Sequence, residues 1–158
     1  MIKQVQRSDL ERCLSVIQES FADIANEFSL TKENCPSHTS FMTIQNLLYH
    51  WDSGFSMYGF YLGSAIIGYV SLEDKGNAVF ELRNLSILPE HRHNGYGKLL
   101  LDFCKAKVKE LNGRSISIGI IEENAVLKKW YIVNGFEHIG VKQFEHLPFT
   151  VGYMECPV

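Results

Sequence analysis

Residues 79–121 limit the possible folds of this chain more than any other stretch. They have the pattern of a β-strand, a loop with two glycines, a long amphipathic helix and a second strand. Two strands joined through a helix run parallel, and such crossovers are almost always right-handed. The predicted helix spans residues 95–111. Its buried stripe consists of Leu100, Phe103, Cys104, Val108 and Leu111.

Apolar periodicity and turn residues divide the rest of the chain into short elements. We predict further strands over residues 1–6, 55–62, 65–72, 136–144 and 149–156. We predict helices over residues 40–50 and 124–133, and an N-terminal helix that Ser8 caps and that ends near Ala25. This order indicates an α+β fold, with a mostly antiparallel mixed sheet flanked by helices.

Composition argues against several classes of function. The 158 residues suit one domain, and their net charge of −3 is unlike that of a uniformly basic nucleic-acid binder. No apolar run approaches the roughly 20 residues of a membrane span. The four cysteines are scattered and no His or Cys spacing matches a zinc site, so we predict no metal. We expect a cytoplasmic protein with reduced thiols and with neither a membrane nor a nucleic acid as partner.

The loop at residues 89–98 carries the strongest functional signal. It precedes a predicted helix, whose N-terminus leaves amide hydrogens unpaired and adds partial positive charge. Gly95 and Gly97 allow a positive φ and a close approach of backbone to ligand. Residues 91–114 contain six Lys or Arg against two acidic residues, a net charge of +4. Together these features predict an anion site, most naturally for a pyrophosphate.

Two common phosphate-binding motifs do not fit this loop. A Walker A loop requires Gly at the position of Arg92 and Ser or Thr after Lys98, where the chain has Leu99. A dinucleotide fingerprint requires a small residue at the position of Leu100. Taken alone, the loop is equally compatible with a plain glycine-containing turn before an amphipathic helix.

The sequence Arg-His-Asn-Gly-Tyr-Gly at residues 92–97 resembles the Arg/Gln-x-x-Gly-x-Gly/Ala motif of the GNAT superfamily of N-acetyltransferases. Residues 85–89 look like the strand end that precedes that motif. Asn124, followed by Tyr131 after seven residues and by Gly135-Phe136 after four more, resembles the second cofactor segment of the family. The order of predicted elements is also similar, so the resemblance covers essentially the whole chain, residues 1–158, as one N-acetyltransferase domain.

The resemblance implies a GNAT-type acyl-CoA acyltransferase fold with acetyl-CoA as acyl donor. The amides of residues 93–98 would hold the pyrophosphate, and the backbone of residues 85–87 would pair with the pantetheine arm. An amide near Ile87 would polarise the thioester carbonyl, and Asn124 would hydrogen-bond the arm. The implied cofactor-binding residues are Leu85, Ser86, Ile87, Arg92, His93, Asn94, Gly95, Tyr96, Gly97, Lys98 and Asn124.

The implied reaction moves an acetyl group directly to a primary amine. Such an amine is almost wholly protonated at pH 7, so it must first lose a proton. The resemblance implies Glu81 as the base, acting through water, and Tyr131 as the proton donor to the leaving CoA thiolate. Other family members place the base on the next strand, where this chain has Gly119, and Glu122 and Glu123 lie nearby in the sequence.

Three questions stay open at the level of sequence. His93 stands where many family members have Gly, which suits a positive φ better. The acceptor is a small-molecule or protein amine of unknown identity, and we expect the region of residues 29–58 to decide which. A non-catalytic acyl-CoA-binding module with the same fold is an alternative, and a homodimer is an expectation by analogy with the family alone.

Overall fold

A seven-stranded mixed sheet forms the centre of the molecule in a computed structural model that describes residues 1–158. The strands are β1 (Ile2–Gln4), β2 (Ser56–Leu62), β3 (Ala65–Asp74), β4 (Val79–Ile87), β5 (Ser115–Ile121), β6 (Glu137–Gln143) and β7 (Thr150–Pro157). Their order in space is β1-β2-β3-β4-β5-β7-β6. All neighbouring strands are antiparallel except β4 and β5, which are parallel. The predicted α+β fold and its parallel crossover are therefore confirmed.

Helices cover both faces of this sheet. They are α1 (Leu10–Glu27), α2 (Ile44–Asp52), α3 (Tyr96–Glu110) and α4 (Ala125–Val133). Successive side chains of a strand point to opposite faces. Accordingly, Tyr69 packs in a core with residues of α1 and α2, whereas Val70 packs in a second core with residues of α3 and α4. We call these two sides the α1/α2 face and the α3/α4 face. No helix combines the length and the apolar character that crossing a membrane requires.

Two predicted helix starts were wrong. Helix α1 begins at Leu10 without a side-chain cap, because residues Arg7–Asp9 form a 3-10 turn where Ser8 was expected to cap the helix. Helix α2 begins at Ile44 instead of residue 40. Thr43 Oγ1 accepts from the Asn46 amide, and Asn46 Oδ1 accepts from the Thr43 amide, so these two residues form a capping box that fixes the start.

The buried stripe of α3 is confirmed at Leu100, Cys104 and Val108, which are fully buried. Leu111 was wrongly assigned to it, because 48% of that residue is exposed. The helix ends at Glu110, and Leu111 is its C-terminal capping residue. The next residue, Asn112, has a φ of 63°, a left-handed conformation that ends the helix before the chain enters β5.

The parallel strands β4 and β5 separate part-way along their length. Only residues 79–81 of β4 pair with residues 115–117 of β5. Beyond them, residues 82–87 and residues 118–121 border a gap that we call the wedge. A bulge in β4, where Asn84 has a φ of 56°, changes the register with β3 at the same place. Because the carboxyl ends of both strands lie at the open end of the wedge, the loop before α3 and Asn124 are brought to the same edge of the sheet.

Candidate active site

The backbone at the N-terminus of α3 presents a row of unused donors. The amides of residues 93–98 donate no hydrogen bond to any backbone or side-chain acceptor in the protein, whereas the next amide, of Leu99, donates to the Gly95 carbonyl. No side chain caps the N-terminus of this helix. The aligned peptide dipoles add roughly +0.5 elementary charge at such an end. Such a combination is suited to binding an anion through backbone atoms alone.

Backbone conformation explains how the loop reaches this shape. His93 and Gly95 both adopt positive φ angles, of 63° and 79°. The side chain of Asn94 donates to the carbonyls of His91 and Arg92, which stabilises the turn without using backbone amides. His93 thus has the left-handed backbone conformation that was expected at the position where many family members have Gly. A histidine adopts this conformation only at some cost in free energy.

The side chain of Arg92 is engaged inside the protein. Its guanidinium donates to the Ser20 carbonyl over 2.6 Å and to the Ile87 carbonyl over 3.2 Å, and it pairs with Asp23 at 2.5 Å. Its backbone amide donates to the Pro89 carbonyl. Arg92 therefore fastens the loop to α1 and to the end of β4. Its assignment as a cofactor-binding residue stays a prediction.

The Ile87 amide, to which the sequence analysis gave a polarising role, also has a partner. It donates to Ser20 Oγ over 3.2 Å, and Ser20 Oγ donates to the Ile87 carbonyl over 3.0 Å. The next amide, of Leu88, donates to the Ile67 carbonyl of β3, so the backbone groups of Ile87 itself face away from β3. A polarising role for this amide therefore requires Ser20 to release it.

Asn124 and Tyr131 lie on the other side of the wedge. Asn124 is buried at the start of α4, where its Oδ1 accepts from the Leu127 amide, and its NH₂ group donates to no protein atom. Tyr131 is buried between the rings of Trp130 and Phe136. Burial, with a smaller contribution from Cys104, raises the pKa of Tyr131 above its usual value near 10. The tyrosine is therefore protonated at neutral pH and able to donate.

Glu81 is the last residue of β4 that pairs with β5, and it lies on the α1/α2 face beside Glu73 of β3. Arg83 bridges the two carboxylates, from Nε to Glu73 Oε1 over 2.8 Å and from Nη2 to Glu81 Oε2 over 3.1 Å. The ammonium of Lys75 lies 3.7 Å and 3.8 Å from the same two side chains. We call Glu73, Lys75, Glu81 and Arg83 the charge cluster. One carboxylate oxygen of Glu81, Oε1, has no partner within it.

The alternative bases suggested by sequence are placed differently. Glu122 pairs with Lys128 of α4 and with His138 of β6, and the hydrogen bond from Lys128 is the main cause that lowers the pKa of Glu122. Glu123 is exposed and accepts from the Thr150 amide. Gly119 lies on the α1/α2 face of β5, two residues beyond the partner of Glu81. Of the three carboxylates, Glu81 alone lies on β4 at the point where the wedge begins.

Comparison with known proteins agrees with this arrangement. Residues 21–136 match the acetyltransferase (GNAT) family. The chain belongs to the GNAT family. It is 32% identical over 91 residues, 51% of its length, to an uncharacterised N-acetyltransferase of Bacillus velezensis, of which the match covers 57%. The chain spans about half the length of the curated relatives that it matches.

Solved structures show the same fold across the whole GNAT chain. The PaiA N-acetyltransferase of Thermoplasma acidophilum, crystallised with coenzyme A, superposes with a TM-score of 0.81 at 22% identity. The alignment covers 100% of this chain and 98% of that one. The ribosomal-protein-S18-alanine N-acetyltransferase of Escherichia coli superposes with a TM-score of 0.80 at 12% identity, over 100% and 93% of the two chains. At these identities the likeness establishes the fold.

A cavity of about 440 Å³ lies beside the charge cluster of this GNAT domain, on the α1/α2 face. Strands β3 and β4 form its floor, and the end of α2 with the residues that follow forms its wall. The lining residues are Tyr49, His50, Ser53, Gly54, Phe55, Glu73, Asp74 and Arg83. Five of these eight residues belong to residues 29–58, the region that was expected to determine which acceptor binds.

Sequence reasoning missed the residues that support the site from a distance. Ser20 and Asp23 hold the loop through Arg92, and Glu73, Lys75 and Arg83 surround Glu81. Ser20 is buried and is spaced like the apolar residues of α1. That spacing was the one signal in the sequence for the first group. The second group carries no signal, because charged residues near a strand end are most often exposed to solvent.

Proposed function

We propose that this chain transfers the acetyl group of acetyl-CoA directly to a primary amine. The single observation that carries the proposal is the row of unbonded amides at residues 93–98, at the N-terminus of α3 and at the open end of the wedge. A diphosphate accepts several backbone hydrogen bonds at once, and a helix N-terminus favours its charge. The wedge then offers the adjoining pantetheine arm a route between the two parallel strands.

The pantetheine arm resembles a short strand in its amide groups. The backbone of residues 85–87 lies on the side of the wedge that β4 contributes, where a pairing of the kind seen in strand addition is possible. The free NH₂ group of Asn124 supports a hydrogen bond from the β5 side. These contacts would carry the thioester from the loop towards Glu81.

Two groups would move protons in the transfer. The acceptor amine loses a proton to Glu81, through water, and its nitrogen forms a bond to the thioester carbon as the bond from carbon to sulfur breaks. The departing thiolate takes a proton from the Tyr131 hydroxyl, which solvent restores. The free Oε1 of Glu81 and the protonated state of Tyr131 support these roles. The reaction requires no covalent enzyme intermediate.

Partners and location form part of the same proposal. The acceptor is a small-molecule or protein amine, and no nucleic acid or membrane takes part. Four unpaired buried cysteines accord with the cytoplasm as the site of action. A homodimer is the further expectation. Its support is β6, one of the two edge strands of the sheet, on which Ile139 and Val141 are exposed.

A non-catalytic acyl-CoA-binding module is the alternative, because Arg83 pairs with the carboxylate of Glu81 and Ser20 Oγ engages the Ile87 amide. Calorimetry with acetyl-CoA and thiol release over a panel of amines separate the two functions. Binding together with amine-dependent thiol release supports the enzyme. Binding without release on any amine supports the module, and absence of binding contradicts both.

Replacement of Glu81 tests the assigned base within the same assay. Glu81→Gln should lower kcat by about 10²–10⁴-fold for an alkylamine that is mostly protonated at pH 7. The loss should shrink for an amine of low pKa, which is already neutral and needs no base. An equal loss for both amines would show that Glu81 has another role. Glu145→Gln, which removes an exposed carboxylate outside the charge cluster, is the matched control.

A further inference from the structure

The cavity beside the charge cluster combines carboxylates with aromatic side chains. Glu73 and Asp74 lie at its floor, and Tyr49, His50 and Phe55 form its wall. Carboxylates pair with an ammonium group, and aromatic faces attract cations by their quadrupole. The ring of His50 stacks on Phe55 with 4.6 Å between ring centroids, so the wall presents two stacked rings.

Two cations, Arg83 and Lys75, balance the two carboxylates beside this cavity. Arg83 is the positively charged residue of the lining, and its guanidinium is shared between Glu73 and Glu81. Burial and the neighbouring positive charge of Arg83 lower the pKa of His50, so the imidazole is neutral at pH 7. Asp74 also lines the cavity, but its Oδ1 accepts from the Gly76 amide, and alternation along β3 directs its side chain to the opposite face. The charge cluster itself comprises two carboxylates, one guanidinium and one ammonium, a formal net charge of zero.

Lys75 shows where an ammonium group fits between the carboxylates. Its Nζ lies 3.7 Å from Glu73 and 3.8 Å from Glu81, beyond direct hydrogen-bond distance, and 47% of its side chain is exposed. Exposed pairs of this kind contribute little free energy. The ammonium of a ligand can therefore take this position at small cost, as the flexible lysine side chain moves into solvent.

From this arrangement we infer that the acceptor is a small diamine or polyamine: one ammonium binds at Glu73 in the cavity while a second amine, near Glu81, receives the acetyl group. This inference rests on the proposed function, because it places the reacting amine at the assigned base. Glu73 and Glu81 are direct cross-strand partners on one face of the sheet. The two ends of a short diamine would therefore meet carboxylates on adjacent strands.

Three probes of equal chain length test the inference: 1,4-diaminobutane, butylamine, which lacks the second charge, and 4-aminobutanoate, which reverses it. We expect a KM for the diamine at least tenfold lower than for butylamine, and the poorest reaction with the aminobutanoate. Equal constants for the diamine and butylamine, or a preference for the aminobutanoate, would overturn the inference while leaving the proposed acetyl transfer intact.

Two charge variants make the test specific to the cavity. Glu73→Gln keeps the side-chain shape and should raise the KM for the diamine about tenfold more than it changes that for butylamine. Lys75→Ala should lower the KM for the diamine, because it removes the competing ammonium. The matched controls Glu145→Gln and Lys142→Ala, at residues outside the cavity and the charge cluster, should change neither constant. A Lys75→Ala protein with unchanged or higher KM for the diamine contradicts the assigned position.

Direct binding keeps the inference testable if no amine is acetylated. Calorimetry would then titrate 1,4-diaminobutane and butylamine into the CoA-loaded protein. Diamine binding that Glu73→Gln weakens about tenfold supports the cavity as a cation site even though the proposed activity has failed. Absence of diamine binding, or binding that Glu73→Gln leaves unchanged, overturns the inference.

Discussion

Ser20 Oγ bridges both backbone groups of Ile87: it accepts from the amide over 3.2 Å and donates to the carbonyl over 3.0 Å. One side chain of α1 thereby holds the end of β4 at the point where the chain enters the loop at residues 89–98. Arg92 reinforces the contact, because its guanidinium reaches the carbonyls of the same two residues. The position of the free amides thus depends on a helix some seventy residues earlier in the sequence.

Ser20→Ala should destabilise the protein by about 1–3 kcal/mol, because a buried amide and a buried carbonyl lose their partner. Ser15→Ala is the matched control: this residue lies on the same helix, is exposed, and should change the free energy of unfolding by less than about 0.5 kcal/mol. Urea unfolding of both variants measures the difference. Equal stability of the two variants would show that the bridge contributes nothing.

Alanine substitution should have different effects at the two glycines of residues 89–98. Gly95 has a φ of 79° with open space at a Cβ position, so Gly95→Ala should cost about 1–2 kcal/mol through backbone strain. Gly97 lies in the helix with no positive φ, and a Cβ would rest 3.6 Å from Trp130, an ordinary contact. Gly97→Ala should therefore retain stability and lose acetyl-CoA affinity, since the methyl group stands among the free amides.

Urea unfolding and calorimetry with acetyl-CoA measure these two effects separately. A Gly97→Ala protein that binds acetyl-CoA with unchanged affinity would place the diphosphate elsewhere. A Gly95→Ala protein as stable as the parent would show that the positive φ at this position carries no strain.

Tyr131→Phe should lower kcat about 10²-fold or more and leave acetyl-CoA binding nearly unchanged. The hydroxyl has no protein partner that the substitution would strand, and the ring contacts with Trp130 and Phe136 remain. Thiol-release kinetics and calorimetry on the same preparation separate the two quantities. A full kcat in Tyr131→Phe would remove the tyrosine from the mechanism.

The free energy of unfolding should decrease as the pH falls, because of the titration of His50. Burial lowers the pKa of His50 in the folded state below its usual 6.5, so the unfolded chain binds the proton more tightly. Stability is therefore fully present above pH 6.5 and declines as the pH falls from there towards the lowered pKa of the folded state. His50→Phe keeps the stack on Phe55 and removes this titration.

Urea titrations at pH 8 and at pH 5 give the comparison. The loss of stability between the two conditions should be smaller in His50→Phe than in the parent, whatever other groups titrate in both proteins. An identical loss in the two proteins would show that His50 titrates alike in its folded and unfolded states.

Local sequence signals predicted most of the fold because the formation of helices, strands and turns depends largely on neighbouring residues. The predicted helices at residues 95–111 and 124–133 agree with α3 and α4 to within one residue at each end. The misplaced starts of α1 and α2 have a local cause too. The 3-10 turn at Arg7–Asp9 takes in Ser8, which was expected to cap α1, and the capping box of Thr43 sets the start of α2 at Ile44.

The contacts that complete the site could not be predicted in this way. Ser20 meets Arg92 across 72 positions of sequence, and Arg83 meets Glu73 only because β3 and β4 pair in one particular register. A bulge at Asn84 shifts that register part-way along the strands. A resemblance led to the prediction that residues 89–98 bind the cofactor, whereas only the three-dimensional structure reveals the cavity and the cluster beside it.

The most direct test of the cofactor site is an NMR titration that follows the backbone amides of residues 93–98. Coenzyme A should shift these amide resonances, because its diphosphate accepts their hydrogens. S-acetylpantetheine, which carries the thioester arm without the diphosphate, should leave them in place while it shifts residues along the wedge. Saturation with coenzyme A that leaves the amides of residues 93–98 unmoved would contradict the account.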